Sequence, residues 1–327
     1  MLFQYYKLWL FIIVSLTVGW FPIRRVTKNS LTRKTFSTCV PLTNDMDSNM
    51  RFIPDKLSWM VKKSDMCYSI SDLMNITNWN NIEIEKEHDG QSVHLISQWY
   101  QESNLRRRHE LIAVLHMNVI NNAVSKIHLL QPSEKPCTVE RDVQVDPHFP
   151  VAMLKSKLVI RFLDNFSTER LTIKQAIEYA NSNIENAYVV LINLDTFFDQ
   201  SLSILASGPM ASHKTIFYIS RYEIDPKSTK LGTQCSRKYM GSHDALIFQP
   251  PVASRIAHAL PFEMGTWHIE TKVIYEFVRR GYRVRNVCKT LRIWHLHSSQ
   301  VRHRLMPDKR YVSQHQYRMV IRPPETL

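Results

Sequence analysis

Residues 188–192 read YVVLI, a run with no charged side chain. Side chains alternate between the two faces of a strand, so such a run needs a sheet covered on both sides. Its surroundings agree. Upstream, Thr172 stands as an N-cap before Ile173, Ala176, Ile177 and Ala180 at helical spacing. Earlier still, VHLI at 93–96 follows the turn signal Asp89-Gly90 and reads as a buried strand. Glu110, Leu111, Val114, Leu115, Asn118 and Val119 then line one face of a helix. Residues 125–130 and 158–162 are further short strands, separated by a loop through Pro132 and Pro136. This alternation predicts a doubly wound α/β domain, its sheet flanked by helices.

At 327 residues the chain has room for one large domain and terminal extensions. With 44% hydrophobic and 22% charged residues it belongs with folded globular proteins rather than disordered ones. Only seven glycines occur, and no two are placed to form G-x-G-x-x-G or a Walker loop. A Rossmann dehydrogenase, a protein kinase and a P-loop NTPase are therefore disfavoured. The net charge of +13 suggests nucleic acid at first sight, but its distribution argues otherwise. Residues 1–34 hold six bases and no acid, residues 301–327 carry a net +4, and only about +3 remains for the middle. No basic stripe with interleaved aromatics crosses the central region, so no nucleic-acid partner is expected.

Residues 8–21, LWLFIIVSLTVGWF, carry no charge, and a span from 2 to 23 reaches membrane thickness if Lys7 snorkels. No A-x-A cleavage site follows, so residues 1–23 read as a retained signal anchor or transmembrane segment. Residues 24–88 then form a polar, Asn-rich stem, 89–305 the folded domain, and 306–327 a basic tail. Arg24, Arg25, Lys28, Arg33 and Lys34 outweigh Lys7, which by charge alone would hold the downstream side in the cytosol. Two glycosylation sequons, Asn75-Ile76-Thr77 and Asn165-Phe166-Ser167, argue for the lumen. The five cysteines lack C-x-x-C spacing and give neither a zinc site nor a defined disulfide.

Ligands in open α/β sheets gather beyond the carboxyl ends of the strands. Asn193 and Asp195 leave the 188–192 strand at a spacing of two, which on an extended chain turns both toward one cation or a nucleotide. Acidic residues there also serve as turn formers or caps. Arg221 ends the strand-like run 216–219 and suits either a phosphate or a salt bridge to Glu223. Asp244 opens the strand 245–248, a place for a substrate hydroxyl or merely a turn. Glu270 lies in the first turn of a helix carrying Val273, Ile274 and Phe277, where the helix dipole favours a carboxylate whether or not it is catalytic. Trp267 beside it offers a ring to a sugar face. In residues 291–297 the alternation of a strand puts His295 and His297 on one face, suited to a metal or diphosphate, although H-x-H pairs also occur as structural elements.

In order, N-x-D at 193, SRYE at 220, S-x-DA at 242, G-x-x-x-x-E at 265 and HLHSS at 295 resemble the sequence blocks of GT-A-type, family 2-like nucleotide-diphospho-sugar glycosyltransferases. The resemblance spans residues 90–304 and includes 94–102 as a first strand and donor-side loop, with Arg108 and Glu110 opening the next helix. It implies a GT-A-like fold, a doubly wound mixed sheet flanked by helices, and transfer of a sugar from a nucleotide-diphospho-sugar to a hydroxyl of a glycan, lipid or protein. By the same likeness Asn193 and Asp195 bind the nucleotide diphosphate with Arg221, and Asp195 with His295 and His297 hold Mn²⁺ or Mg²⁺. Glu270 deprotonates the acceptor and Asp244 serves the catalytic centre. The expected setting is a single-pass type II protein of the Golgi or ER membrane with a luminal catalytic domain. Asn193 stands where the family usually has an acid, which leaves a silent binding protein as the alternative. A metal hydrolase built on the two histidines is a third reading.

Overall fold

The computed structural model describes residues 69–79, 91–164, 166, 170–206, 208, 214–224, 232–233, 235, 242–266 and 269–299. The anchor at 1–23, the tail at 306–327, Trp267 and the sequon residues Asn165 and Ser167 lie outside them.

Ten strands make up a mixed sheet. They are β1 (Ser92–Ser97), β2 (Val124–Pro132), β3 (Leu158–Leu163), β4 (Ala187–Ile192), β5 (Thr196–Phe198), β6 (Thr215–Glu223), β7 (Gly232–Thr233), β8 (His243–Phe248), β9 (Arg283–Arg285) and β10 (Ile293–His295). The helices are α1 (Ile70–Ile76), α2 (Leu105–Ile120), α3 (Val139–Asp142), α4 (Val151–Lys157), α5 (Ile173–Asn183), α6 (Ser203–Ala206), α7 (Ser254–His258) and α8 (Ile269–Val278). Along the main path the order is β3-β2-β1-β4-β8-β6-β10-β5, with β7 and β9 both paired to β6. The first four strands are mutually parallel. β8 runs antiparallel to both β4 and β6, and β10 is parallel to β6 and antiparallel to β5. The sheet is thus mixed: β1–β4 form a wholly parallel block, and the later strands combine parallel and antiparallel pairs.

All six residues of β4 are buried. Tyr188, Val190 and Ile192 join a core with Leu111, Leu115 and Val119 of α2, while Val189 and Leu191 join one with Ile177 of α5 and Ile274 and Phe277 of α8. Each such aliphatic side chain contributes about 1.5–3 kcal/mol by leaving water, so β4 is the strand about which both layers condense. Thr172 caps α5 as its sequence predicts, in a reciprocal capping box with Gln175. Gly281, at φ +80°, closes the turn between α8 and β9 in a conformation that side chains disfavour.

Three features depart from the simple reading of the chain. The segment after Pro136, read as a loop, holds α3 and α4 before β3 begins, both too short for periodicity to mark. α1 falls inside the stretch read as stem, and its Leu73 is buried with Met117 of α2, Phe197 and Trp294. Asn75 of the first sequon is exposed on this helix, and Thr77 donates its hydroxyl proton to the Leu73 carbonyl. Cys235 and Cys288 form a disulfide across 53 residues, which their irregular spacing concealed. Between β1, β2 and α5, a polar column runs through the hydrophobic layer: His94 Nδ1 lies 3.0 Å from His128 Nε2, and His128 Nδ1 lies 2.9 Å from Tyr179 Oη. Burial, reinforced by His94, Arg161 and Lys126, pushes the His128 imidazolium down to about 3, so this residue stays neutral.

Candidate active site

A cleft of about 720 Å³ opens at the carboxyl ends of β1, β2 and β4. Ser97 and Gln98 approach it from β1, Gln131 and Pro132 from β2, and Asn193, Leu194 and Asp195 from the turn after β4. Its walls also carry Trp99, Tyr100, Lys135 and Arg170. Gln131 is 3% exposed, and its Nε2 has no hydrogen-bond partner among the described residues. A buried donor left in this state costs free energy that a ligand acceptor would return.

Asp195 is the junction of the site. Its backbone carbonyl accepts from Leu296 N at 3.0 Å, tying the turn after β4 to the segment after β10. Its Oδ2 accepts from Arg107 Nη2 at 2.5 Å, sits 3.2 Å from His295 Nε2 and lies 3.9 Å from His297 Nδ1. Burial alone would raise this carboxyl, but His295 and Arg107 outweigh burial and hold it well below the usual carboxylate range. His295 in turn presents Nδ1 to Glu223 Oε2 at 2.6 Å. Burial opposes its charge, yet Asp195 and Glu223 raise it to about 9, while Glu223, also opposed by burial, is drawn down to about 2.

The chain of charges continues beyond Glu223. Its Oε1 accepts from Arg221 Nε at 2.6 Å, and Arg221 Nη1 donates to Asp244 Oδ1 at 2.9 Å. The same oxygen accepts from Asn193 Nδ2 at 3.3 Å, and Asp244 Oδ2 accepts from Ser242 at 2.6 Å. Sign therefore alternates from Asp195 through His295, Glu223 and Arg221 to Asp244. Arg221 takes the salt bridge that its spacing to Glu223 suggested, and it is not among the residues lining the cleft. Asn193 and Asp195 both line the cleft but take different partners. The strand has already ended, so Asn193 turns to Asp244 and Asp195 to Arg107 and the imidazoles.

Glu270 opens α8 and lines a small pocket of about 40 Å³ with Tyr218, His243 and Asp244. Asn193, Met264 and Gly265 belong to both this pocket and the large cleft. Burial foremost, with help from the Asp244 charge, raises the Glu270 carboxyl to about 7. The residue is therefore close to half-ionised near neutral pH.

Of two buried residues of α2, Arg107 escaped sequence reasoning, and Glu110 was placed on the helix without a role at the site. Arg107 and Glu110 are one helical turn apart, with Nη1 and Oε2 3.0 Å from each other. Glu110 accepts from Ser298 Oγ at 2.6 Å, Ser299 N at 2.5 Å and Ser299 Oγ at 2.8 Å, so it grips the segment that carries both histidines. Arg107 is the middle of three consecutive arginines at 106–108, whose spacing does not tell them apart. Only the 4% exposure of Arg107 separates it from its neighbours.

Asp195, His295 and His297 offer ligand atoms all within 4.8 Å of one another. The set fits a divalent cation. Glu223 engages Nδ1 of His295 and so directs Nε2 inward, and the side-chain contacts to Asp195 among the described residues fall on Oδ2. One carboxylate with two imidazoles suits Mn²⁺ better than Mg²⁺, which prefers oxygen.

No family model matches the chain, and no curated protein matches it in sequence. Among solved structures it resembles GalNAc-T7 with UDP, GalNAc and Mn²⁺, at a TM-score of 0.44 and 6% identity over 65% of this chain and 45% of that one. The chain thus spans less than half the length of that protein. It also resembles the inositol-1-phosphate CTP transferase from T. maritima, at a TM-score of 0.36 and 9% identity over 66% and 93%. A third likeness is to the 4-diphosphocytidyl-2C-methyl-D-erythritol synthase from Anaerococcus prevotii DSM 20548, at 0.38 and 14% over 67% and 93%. These are partial overlaps of fold.

Proposed function

We propose that the protein is a glycosyltransferase that moves a sugar from a nucleotide-diphospho-sugar to a hydroxyl group of a glycan, lipid or protein. The observation that carries this reading is the meeting of Asp195 with His295 and His297 at the wall of a cleft built on the strand ends. The family 2-like character comes from the ordered sequence blocks.

Gln131, with its unpaired amide donor, and the Trp99 and Tyr100 rings suit the nucleoside end of the donor, and Lys135 and Arg170 suit its phosphates. Asp195, His295 and His297 would hold Mn²⁺ or Mg²⁺, which when bound neutralises negative charge on the departing nucleotide. Glu270, in the pocket adjoining the cleft, takes the proton from the acceptor hydroxyl as its oxygen bonds to the anomeric carbon. The bond from that carbon to the phosphate oxygen breaks, and its electron pair leaves with the diphosphate. A carboxyl held at about 7 suits this step, since it is basic enough to take the proton yet substantially ionised at neutral pH. Asp244, fixed by Arg221, Asn193 and Ser242, orients the acceptor beside Glu270 and supports its charge state.

The setting we propose is the lumen of the Golgi or ER, with residues 1–23 as a type II membrane anchor. The Cys235–Cys288 disulfide supports it, because oxidising compartments form and keep such bonds. Among the described residues no helix is long and apolar enough to cross a membrane. The test is a panel of nucleotide-sugars offered to the purified full chain in detergent, with and without Mn²⁺. A donor that raises the melting temperature and is hydrolysed or transferred supports the reading, provided Asp195→Asn and Glu270→Gln abolish turnover while remaining folded. Binding without turnover under every condition identifies a silent binding protein, and hydrolysis of substrates without nucleotide identifies a hydrolase.

A further inference from the structure

Arg107 is an unusual neighbour for a metal ligand. It is 4% exposed, its Nη2 lies 2.5 Å from Asp195 Oδ2, and its Nη1 donates to Glu110 Oε2 and to the Leu296 carbonyl, each at 3.0 Å. Leu296 is the residue between the two histidines, so the guanidinium is bound to both halves of the ligand set. It is fixed in place: α2 begins at the Asn104 cap, whose Oδ1 accepts from the backbone N of Arg107 itself. Its charge sits where a divalent ion on Asp195 would feel it at contact range, in a setting too buried for water to screen fully.

We infer that Arg107 is a resident counter-cation of the Asp195–His295–His297 site: it neutralises Asp195 when no ion is bound and lowers the affinity of the site for a divalent cation by competing for that carboxylate. The inference rests on the proposed metal-assisted transferase reading. Arg107 pairs the Asp195 charge with a side chain of the protein itself and so sets the divalent-cation concentration at which the site fills. Glu110 completes the device, since it anchors the guanidinium and the Ser298–Ser299 segment together.

The test is Mn²⁺ affinity of the full chain in detergent, measured by electron paramagnetic resonance of free Mn²⁺ and by calorimetry, without nucleotide-sugar. Arg107→Gln removes the charge and keeps a hydrogen-bonding side chain; Arg107→Lys keeps the charge and loses the fork. The expected result is at least tenfold tighter Mn²⁺ binding by Arg107→Gln and an affinity within threefold of wild type for Arg107→Lys. Binding by Arg107→Gln when wild type binds none also supports the inference. A residue that merely positions Asp195 gives the opposite pattern, weaker binding in both variants. Equal or weaker binding by folded Arg107→Gln overturns the counter-cation while leaving the metal site intact. If Arg107→Gln does not fold, Arg107→Lys decides: a loss greater than threefold overturns the inference and a smaller change supports it. If folded wild type and Arg107→Gln both bind no Mn²⁺, the counter-cation and the metal site fall together. Nucleotide-sugar transfer in EDTA then shows whether the transferase reading stands without them.

Discussion

Replacing Glu270 by glutamine is expected to stabilise the protein at alkaline pH while destroying its turnover. The folded chain holds this carboxyl at about 7 against 4.5 for the free group, chiefly by desolvation. Between those values the native state binds more protons than the unfolded state, so stability falls as pH rises and levels off above about 8. Integrating that linkage from pH 5 to pH 8 gives a loss of about 2.5 kcal/mol, which the partial exposure of Glu270 trims to about 2 kcal/mol. Glutamine has the same shape and no charge to bury. Relative to wild type, Glu270→Gln therefore gains about 2 kcal/mol over this interval. Urea unfolding of both proteins at pH 5, 6, 7 and 8, with the slope m checked for constancy, measures the difference directly. Subtracting the two curves cancels the contributions of the histidines, opposite in sign for the lowered His128 and of the same sign for the raised His295. Parallel curves would refute a desolvated carboxylate at this position, and with it the argument that burial tunes Glu270 as a base. For the enzyme the acid limb of the wild-type rate profile falls near pH 7, and the variant loses about 10²-fold or more.

Other consequences can be checked independently. His128, held down to about 3, contributes stability that is complete above about 6.5 and is lost as pH falls; His128→Gln should flatten the acid side of the curve by about 2 kcal/mol between pH 7 and 5. An unchanged acid slope in that variant would assign the effect elsewhere. Reduction of Cys235–Cys288, or Cys288→Ser, frees a 53-residue loop and should cost about 4 kcal/mol on the chain-entropy account, read as a lower melting temperature under reducing conditions. Asp195→Asn keeps the outline of the side chain but should abolish Mn²⁺-dependent thermal stabilisation; a shift equal to wild type would place the metal elsewhere. Gln131→Ala should weaken nucleotide-sugar binding by about 1–3 kcal/mol with little loss of folding stability, since its Nε2 has no partner among the described residues to lose.

The strands at 93–96, 125–130, 158–162 and 188–192, the helices that became α2 and α5 and the Thr172 cap were legible in the chain, because each depends on local periodicity and capping chemistry, whereas the short α3 and α4 lie where only a loop was read. The relation between distant residues was not. Asn193 and Asp195 were expected to act together, but a turn begins where the strand ends, and the two side chains part to different partners. Arg221 was open to either a phosphate or a carboxylate, and the pairing of β6 with β8 and β10 gives it to Glu223 and Asp244.

Sequence by itself determined the alternation of strands and helices, the apolar strand at the centre, and the list of polar residues at strand ends. Tertiary structure alone decided which of them meet. Asp195 and His295 are 100 residues apart, joined because β5 pairs with β10 and Leu296 bonds to the Asp195 carbonyl. Arg107 became part of the site only when α2 buried one guanidinium of three consecutive arginines. Local pattern specifies how a segment folds, but charge chemistry depends on burial and on partners within a few ångströms, and those are properties of the assembled sheet.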